Sequence, residues 1–471
     1  MSEHFDLAVI GSGPGGYRAA ILGALRGLKV AIIEKADWGG CCLNRGCVPK
    51  KDWYHTAKLI AAQRHFAGRG IEGTLTASMD SAWEHQETVV ATVQQSYVDY
   101  MKHLKISALQ GAARFKDTHT LEITASDGNM QAIQAKHSII ATGATAFVPE
   151  PFEAVDGKVL TSDMLFDSPP PKGRRVAVIG NGVVATEFAF IFAMLGKEVV
   201  WLSRSAALRK IPFSPQAMGA LKTAFKEHGI EHRQGVGFES VDTAGDGVVI
   251  TLKDGEKIQV DWVCLGTGRT PHTEGLGLEA VGVKQDRDGF VKRNDFLQTD
   301  AANIYAIGDV ASPWMTANHA LSDATVAVDN IISGNTRKQD GLQVPIVIYS
   351  AIEMARLGMD EDMAEDEELE PAVGFAAFET SPCALGQDDT AGFVRLIGDM
   401  DSGALLGGEI VGGEAGELIH LLSLAPDRET ALSWIAKGVF NHPARAEEVL
   451  NATETLASKW GLADQVFGFG Q

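Results

Sequence analysis

Three cysteines, Cys41, Cys42 and Cys47, fall within seven residues of a 471-residue chain that has only five in all. Close thiols act as zinc ligands, as a structural crosslink or as a redox couple. A structural zinc site takes four ligands, commonly as two close pairs. Neither a second Cys-x-x-Cys nor a suitably spaced histidine pair accompanies Cys42 and Cys47. A disulfide needs Cα atoms about 4.4–6.8 Å apart, whereas residues five apart on a regular helix are separated by about 7.5 Å along the axis and point about 140° apart. Cys42 and Cys47 can therefore bridge only across irregular backbone. Gly39, Gly40 and Gly46 permit that, and Pro49 withholds a helical hydrogen bond just beyond the pair. A loop this short constrains the unfolded chain little and makes a poor staple. A reversible redox pair is the better reading.

Two stretches have the residues to hold nucleotides. In "DLAVIGSGPGGYRAAILGALRGLKVAIIE" an apolar strand runs into Gly11, Gly13 and Gly16, a helical pattern follows, and a second strand ends at Glu34. Such a turn brings a pyrophosphate to a helix N-terminus, and the terminal acid can accept from ribose hydroxyls. The pattern recurs in "RRVAVIGNGVVATEFAFIFAMLGKEVVWLSRS", with Gly180, Gly182 and Ala185, but the acid is replaced by Ser203 followed by Arg204. Loss of the acid removes its repulsion toward a 2′-phosphate, and Arg204, with Arg209, can supply an opposing charge. This favours NADPH at the second site; plain surface charge is the competing reading of both arginines.

The elements around these turns complete a nucleotide scaffold. "HSIIATGATAFVP" carries Thr142 and Gly143, and "VCLGTGRTP" carries Gly268; each is an apolar strand closed by a glycine turn. "NIYAIGDV" ends a buried strand in Gly308 and Asp309, where an acid can bind a cofactor hydroxyl. After about residue 340 the pattern changes: "VPIVIYSAIEMARLG", "GFVRLIGD" and "ALLGGEIVGG" read as antiparallel strands, "EAGELIHLLSLA" and "RAEEVLNATETLASKW" as helices. The expected organisation is α/β: two Rossmann-like domains at 1–149 and 150–272, a return to the first at 273–340, and a C-terminal α+β domain at 341–471.

Composition sets outer bounds. With 45% hydrophobic residues the chain is globular, of roughly three or four domains. "MSEHFDLAVIG" lacks a basic, apolar leader, and no apolar run reaches the ~18 residues of a membrane span, so a reducing cytoplasm is the expected setting. A formal charge of −20 argues against nucleic-acid partners and anionic membranes; its densest run, "MDEDMAEDEELE", reads as solvated surface.

"GGCCLNRGCVPKK", with "GSGPGGY", "ATG", the second glycine fingerprint, "AIGDV" and a near-terminal "HPARAEE", closely resembles the FAD-dependent pyridine nucleotide-disulfide oxidoreductases over essentially the whole chain. The resemblance implies a homodimer that passes electrons between NAD(P)H, FAD and the Cys42–Cys47 pair. It makes Cys47 the sulfur beside the flavin and Cys42 the one that exchanges with substrate. It makes Lys51 the cation near flavin N5, with Glu187 as its ion-pair partner, and His442 with Glu447 an acid-base dyad reaching the cysteines from the other subunit. "GSGPGGYRAAI" and "CLNRGC" are most similar to the branch acting on lipoyl groups carried by a protein. "CVPKK", Ala185, Arg204 and "AEE" are more similar to the NADPH-dependent branch that reduces a small disulfide such as glutathione. Some positions depart from the family: Cys41 replaces a threonine, Ala444 and Ala446 replace hydroxyl residues around Arg445, and Asn318 replaces a histidine.

Overall fold

The computed structural model describes residues 3–243 and 245–468. The chain gathers into two compact units, Met1–Thr56 with Ala77–Ile179 and Phe238–Asp340, and Ala57–Thr76 with Gly180–Gly237 and Gly341–Gln471.

The first unit is built on a seven-stranded sheet. Strand Glu3–Ile10 lies between Val30–Glu34 and Met130–Ile140, parallel to both, and Ser107–Gln110 and Ile304–Ala306 continue the parallel set. Thr120–Thr124 and Ala112–Asp117 add an antiparallel edge. Alternation along the second half of Glu3–Ile10 feeds two cores: Leu7 and Val9 pack with Ala19, Ala20, Ala324 and Ala327, while Ala8 and Ile10 pack with Phe115, Leu121 and Ile304. A strand buried on both faces reads as a continuous apolar run, which is why "DLAVI" was legible. Helices Pro14–Leu25 and Ala317–Ser333 pack side by side. The same unit holds the parallel strands Val159–Thr161, Trp262–Leu265 and Arg175–Ile179, and an antiparallel meander, Phe238–Asp242, Val248–Leu252 and Lys257–Val260.

In the second unit the helix Val183–Met194 leads to strand Glu198–Ser203, which pairs in parallel with His232–Gln234. The C-terminal part is a five-stranded antiparallel sheet in the order Ile346–Tyr349, Glu353–Gly358, Leu405–Val411, Phe393–Asp399, Pro371–Ala377. Helix Glu447–Trp460 lies so close to it that a Cβ on Gly374 would stand 2.2 Å from the carbonyl oxygen of Ala452. "EAGELIHLLSLA" forms two short helices, Ala415–Leu418 and His420–Ser423, rather than one. Helix Met79–His103 had no counterpart in the sequence reading, although Ser78 caps it and Met79, Ala82, Trp83 and Gln86 are buried at helical spacing.

Candidate active site

The cysteine segment is two helices with a break between them. Helix Gly40–Asn44 carries Cys42, helix Cys47–Ala62 begins on Cys47, and Arg45 at φ −135° interrupts the helical path. That break removes the rise and rotation that would separate residues five apart. The two Cα atoms come to 4.7 Å, and Cys42 and Cys47 form a disulfide. Gly39 and Gly40 have φ of 96° and 64°, a region that disfavours side chains, and a Cβ on Gly40 would lie 2.7 Å from the Cα of Gly13. The disulfide segment is thus docked against the first glycine turn. Asn44 Nδ2 donates to the carbonyls of Trp38 (3.1 Å) and Gly40 (2.9 Å), and Gln94 from helix Met79–His103 donates to Asn44 Oδ1 at 3.1 Å.

The turn itself has the shape of a phosphate cradle. Gly11, at φ 100°, leaves no room for a Cβ, which would meet the carbonyl oxygen of Ala141 at 2.4 Å; a Cβ on Gly16 would strike that of Gly11 at 1.9 Å. A Cβ on Gly13 would meet nothing within 4 Å. Gly13 is the N-cap of helix Pro14–Leu25 and provides no side-chain acceptor, so backbone N–H groups there face an open edge suited to a pyrophosphate. Glu34 accepts from Ser12 N (2.9 Å), Ser12 Oγ (2.7 Å) and Ala36 N (2.9 Å), and Ser12 Oγ accepts from Gly39 N (2.9 Å). The acid at the strand end is therefore tied through one serine to the cysteine segment. Thr142 Oγ1 donates to the carbonyl of His272 at 2.6 Å, and Gly143 has φ 71°. Gly308, also left-handed at φ 68°, donates its N–H to Asp323 at 2.9 Å. Asp309 is half-buried, and that burial raises its carboxyl above the ordinary range against the pull of Arg269.

Sequence reasoning missed a charge cluster beside the disulfide. Cys41 Sγ donates to Asp163 Oδ1 at 3.4 Å, Arg269 binds both oxygens of Asp163 at 2.7 and 3.2 Å, and Arg269 Nη2 lies 3.4 Å from Cys41 Sγ. Burial pushes the Cys41 thiol up to about 11, with Arg269 opposing and Asp163 adding to the rise. The thiol is turned into this cluster. The position of Arg269, directly after Gly268, was the one local signal.

In the second unit Gly180 has φ 129°, and Gly182 N-caps helix Val183–Met194 with open space where its Cβ would be, as at Gly13. Ala185, at the third position of that fingerprint, is fully buried. Gly268, in the first unit, has φ 108°. Ser203 is buried: its hydroxyl donates to the carbonyl of Ser205 and lies 2.6 Å from His232 Nε2. His232 stacks on Trp201 with ring centroids 3.9 Å apart, and burial lowers it to about 4. Arg204 and Arg209 are exposed. Glu187 is buried and accepts from the backbone N–H of Tyr349 at 2.9 Å. Lys51 stands one turn after Cys47 on the helix that Cys47 opens.

His442 and Glu447 meet in the second unit. His442 Nδ1 is 2.9 Å from Glu447 Oε1, and Glu447 Oε2 accepts from Ala444 N at 2.8 Å. These two contacts, the histidine first, hold the Glu447 carboxyl below its ordinary range. A carboxylate on Nδ1 leaves Nε2 to exchange protons. Among the described residues no group of three His, Cys, Asp or Glu side chains is arranged to hold a metal, and no helix is long and apolar enough to cross a membrane.

Comparison with known proteins identifies the family. Residues 5–324 match the family model of the pyridine nucleotide-disulphide oxidoreductases, and 344–453 match the dimerisation domain of the same family. The chain is 34% identical to a dihydrolipoyl dehydrogenase of Thermus scotoductus over 459 residues, covering 96% of this chain and 97% of the relative. It is 31% identical to a glutathione reductase of Burkholderia cepacia over 447 residues, covering 94% and 97%. Among solved structures, LpdA from Mycobacterium tuberculosis has the same fold, with TM-score 0.89 at 23% identity over 96% of this chain and 99% of that one.

Proposed function

Because the chain belongs to the pyridine nucleotide-disulphide oxidoreductase family, we propose that it is a homodimeric dihydrolipoyl dehydrogenase, acting on lipoyl groups carried by a protein partner. The observation that carries this reading is the Cys42–Cys47 disulfide docked on the Gly13 turn. FAD and NAD(P)H are the cofactors that the family implies. FAD, when bound, supplies the two-electron link between the nicotinamide and the disulfide. The open edge at Gly13, with Glu34, Thr142, Gly143, Gly308 and Asp309 around the same sheet, would hold it; Gly180, Gly182, Ala185, Ser203 and Arg204 would serve the nicotinamide nucleotide.

The chemistry of the chain's own groups follows from sulfur exchange. A substrate thiolate attacks Cys42 Sγ; a bond forms between them, the Cys42–Cys47 bond breaks, and Cys47 leaves as a thiolate. His442, supplied by the other subunit of the dimer, takes the proton of the second substrate thiol, which attacks the first substrate sulfur and releases Cys42 as a thiolate. The substrate becomes a disulfide, and the pair has gained two electrons. Glu447 keeps His442 in the tautomer that leaves Nε2 able to take that proton. Cys47, the thiolate left at the helix start, gains from the helix N-terminus, and Lys51 on the same helix would supply a cation to the flavin.

The second reading, an NADPH-dependent reductase of a small disulfide, is favoured by Ser203 and Arg204: the strand end offers no acid to repel a 2′-phosphate. We therefore assign NADPH as a competent nucleotide under either reading. Steady-state assays of both nucleotides with dihydrolipoamide and with oxidised glutathione separate the two. Efficient dihydrolipoamide turnover supports the first reading; turnover of glutathione alone replaces it with the second.

A further inference from the structure

The turn between His442 and the helix Glu447–Trp460 has a buried cation in it. Arg445 is only 5% exposed. Its Nε donates to Gln387 Oε1 at 2.9 Å, its Nη2 to the carbonyl and the carboxylate of Asp389, both at 2.7 Å, and its guanidinium lies 4.7 Å over the ring of Phe378. The pocket is tight on the remaining side, since a Cβ on Gly413 would stand 2.3 Å from Asp389 Oδ2 and 3.2 Å from Arg445 Nη2. Nη1 is buried with no hydrogen-bond partner among the described residues. Desolvating a guanidinium and leaving both Nη1 N–H groups unpaired costs stability that an apolar side chain at this position would not cost. The residue is thus better explained by what it fixes than by what it stabilises.

What it fixes is the turn that carries the dyad. The N-cap of helix Glu447–Trp460 is Ala446, which has no side chain able to cap it, and Ala444 likewise has no hydroxyl. Within the turn the contacts are short-range: Ala444 N donates to Glu447 Oε2, and Glu448 N to the carbonyl of Arg445. Arg445 ties this turn to a separate element, the end of helix Pro382–Gln387 and the residue Asp389 beyond it. We propose that Arg445 is a positioning residue for the acid-base pair. Its planar, three-point clamp on Gln387 and Asp389 sets the backbone of 442–447, and so the direction in which Glu447 holds His442. The proposal rests on the reading of His442 as the proton acceptor in dithiol turnover. A guanidinium suits the task because its donors form a rigid fork, whereas an ammonium would supply charge without fixed direction.

The test is a mutant cycle in the FAD-loaded dimer. Arg445→Met and Arg445→Lys should both lower kcat for disulfide–dithiol turnover about 10- to 100-fold with little change in KM, while anaerobic reduction by NAD(P)H keeps its wild-type rate. Gln387→Leu, which removes one of the three points and strands no charge, should produce a smaller loss in the same step and keeps the test open should the arginine variants fold poorly. In a His442→Ala background, Arg445→Met and Gln387→Leu should add nothing, because they act through the histidine. Wild-type kcat in the Arg445 and Gln387 variants, full recovery in Arg445→Lys, or an undiminished further loss in the His442→Ala background would overturn the proposal. A His442→Ala enzyme with wild-type turnover would instead remove the functional reading beneath it, and the two failures are distinct.

Discussion

Gly40 sits against Gly13: a methyl group placed on Gly40 would lie 2.7 Å from the Gly13 Cα, closer than carbon atoms approach without displacement. This contact joins the redox segment to the phosphate cradle, and it exists because Gly40 lacks a side chain. Gly40 also has φ 64°, so a larger residue is strained twice over. We expect Gly40→Ala to push the cysteine helix away from the turn, with loss of bound FAD and of disulfide turnover. The flavin-to-protein ratio after purification checks it, and a fully loaded, active Gly40→Ala protein would contradict it. Gly13→Ala, whose Cβ meets nothing in the protein, tests the cradle separately: normal folding with weakened FAD retention is the expected result.

The two disulfide cysteines should be separable. Cys47 opens a helix and is the proposed partner of the flavin, while Cys42 belongs to the short helix before the break. Cys42→Ser should leave a Cys47 thiolate and a long-wavelength absorption band in the oxidised enzyme, with turnover abolished. Cys47→Ser should bind FAD, lack the band and be equally inactive. Identical spectra for the two variants would show that the roles are assigned wrongly.

Cys41 provides a pH test. Its thiol is raised from an ordinary 9.0 to about 11, mainly by burial. A folded-state pKa above the unfolded one means that the folded protein holds the proton more tightly, so this contribution is complete below pH ~9 and is lost as the pH rises through about 11. Cys41→Thr should therefore flatten the fall in stability between those limits, as followed by denaturation midpoints across the alkaline range. In wild type, alkylation of Cys41 should stay slow at neutral pH. An unchanged alkaline slope in Cys41→Thr would place the titrating group elsewhere.

The line between what was legible and what was not follows sequence distance. Gly11, Gly13, Gly16 and Glu34 were readable because one strand–turn–helix–strand unit positions them all. Cys42 with Cys47, and His442 with Glu447, are each five residues apart, so local backbone decides whether they meet. Asp163 and Arg269 reach Cys41 across 122 and 228 residues, and no period or spacing encodes that encounter. Arg445 was visible as an oddity in "HPARAEE", but its partners Gln387 and Asp389 lie 58 and 56 residues away. Ser203 is the instructive intermediate. Its place at the strand end was readable, whereas its burial against His232 depends on the parallel pairing of Glu198–Ser203 with His232–Gln234.

That burial sharpens the expectation for nucleotide choice. Ser203 Oγ is taken up by Ser205 and His232, and the neighbouring His232, lowered to about 4 by burial, is neutral at pH 7. Neither group then carries charge toward a 2′-phosphate, and Arg204, which follows the strand directly, is an exposed cation. A charge-assisted hydrogen bond is worth about 1.5–3 kcal/mol, which corresponds to roughly a tenfold or larger preference. Arg204→Ala should lower kcat/KM for NADPH by about that factor and leave NADH nearly unchanged. Ser203→Ala should disturb the His232 seat, and so stability, without moving the ratio more than about twofold, since the hydroxyl faces protein rather than solvent. The ratio of kcat/KM for the two nucleotides across wild type, Arg204→Ala and Ser203→Ala decides it. A ratio that follows Ser203 instead of Arg204 would mean that the serine seat, not the arginine charge, sets the preference.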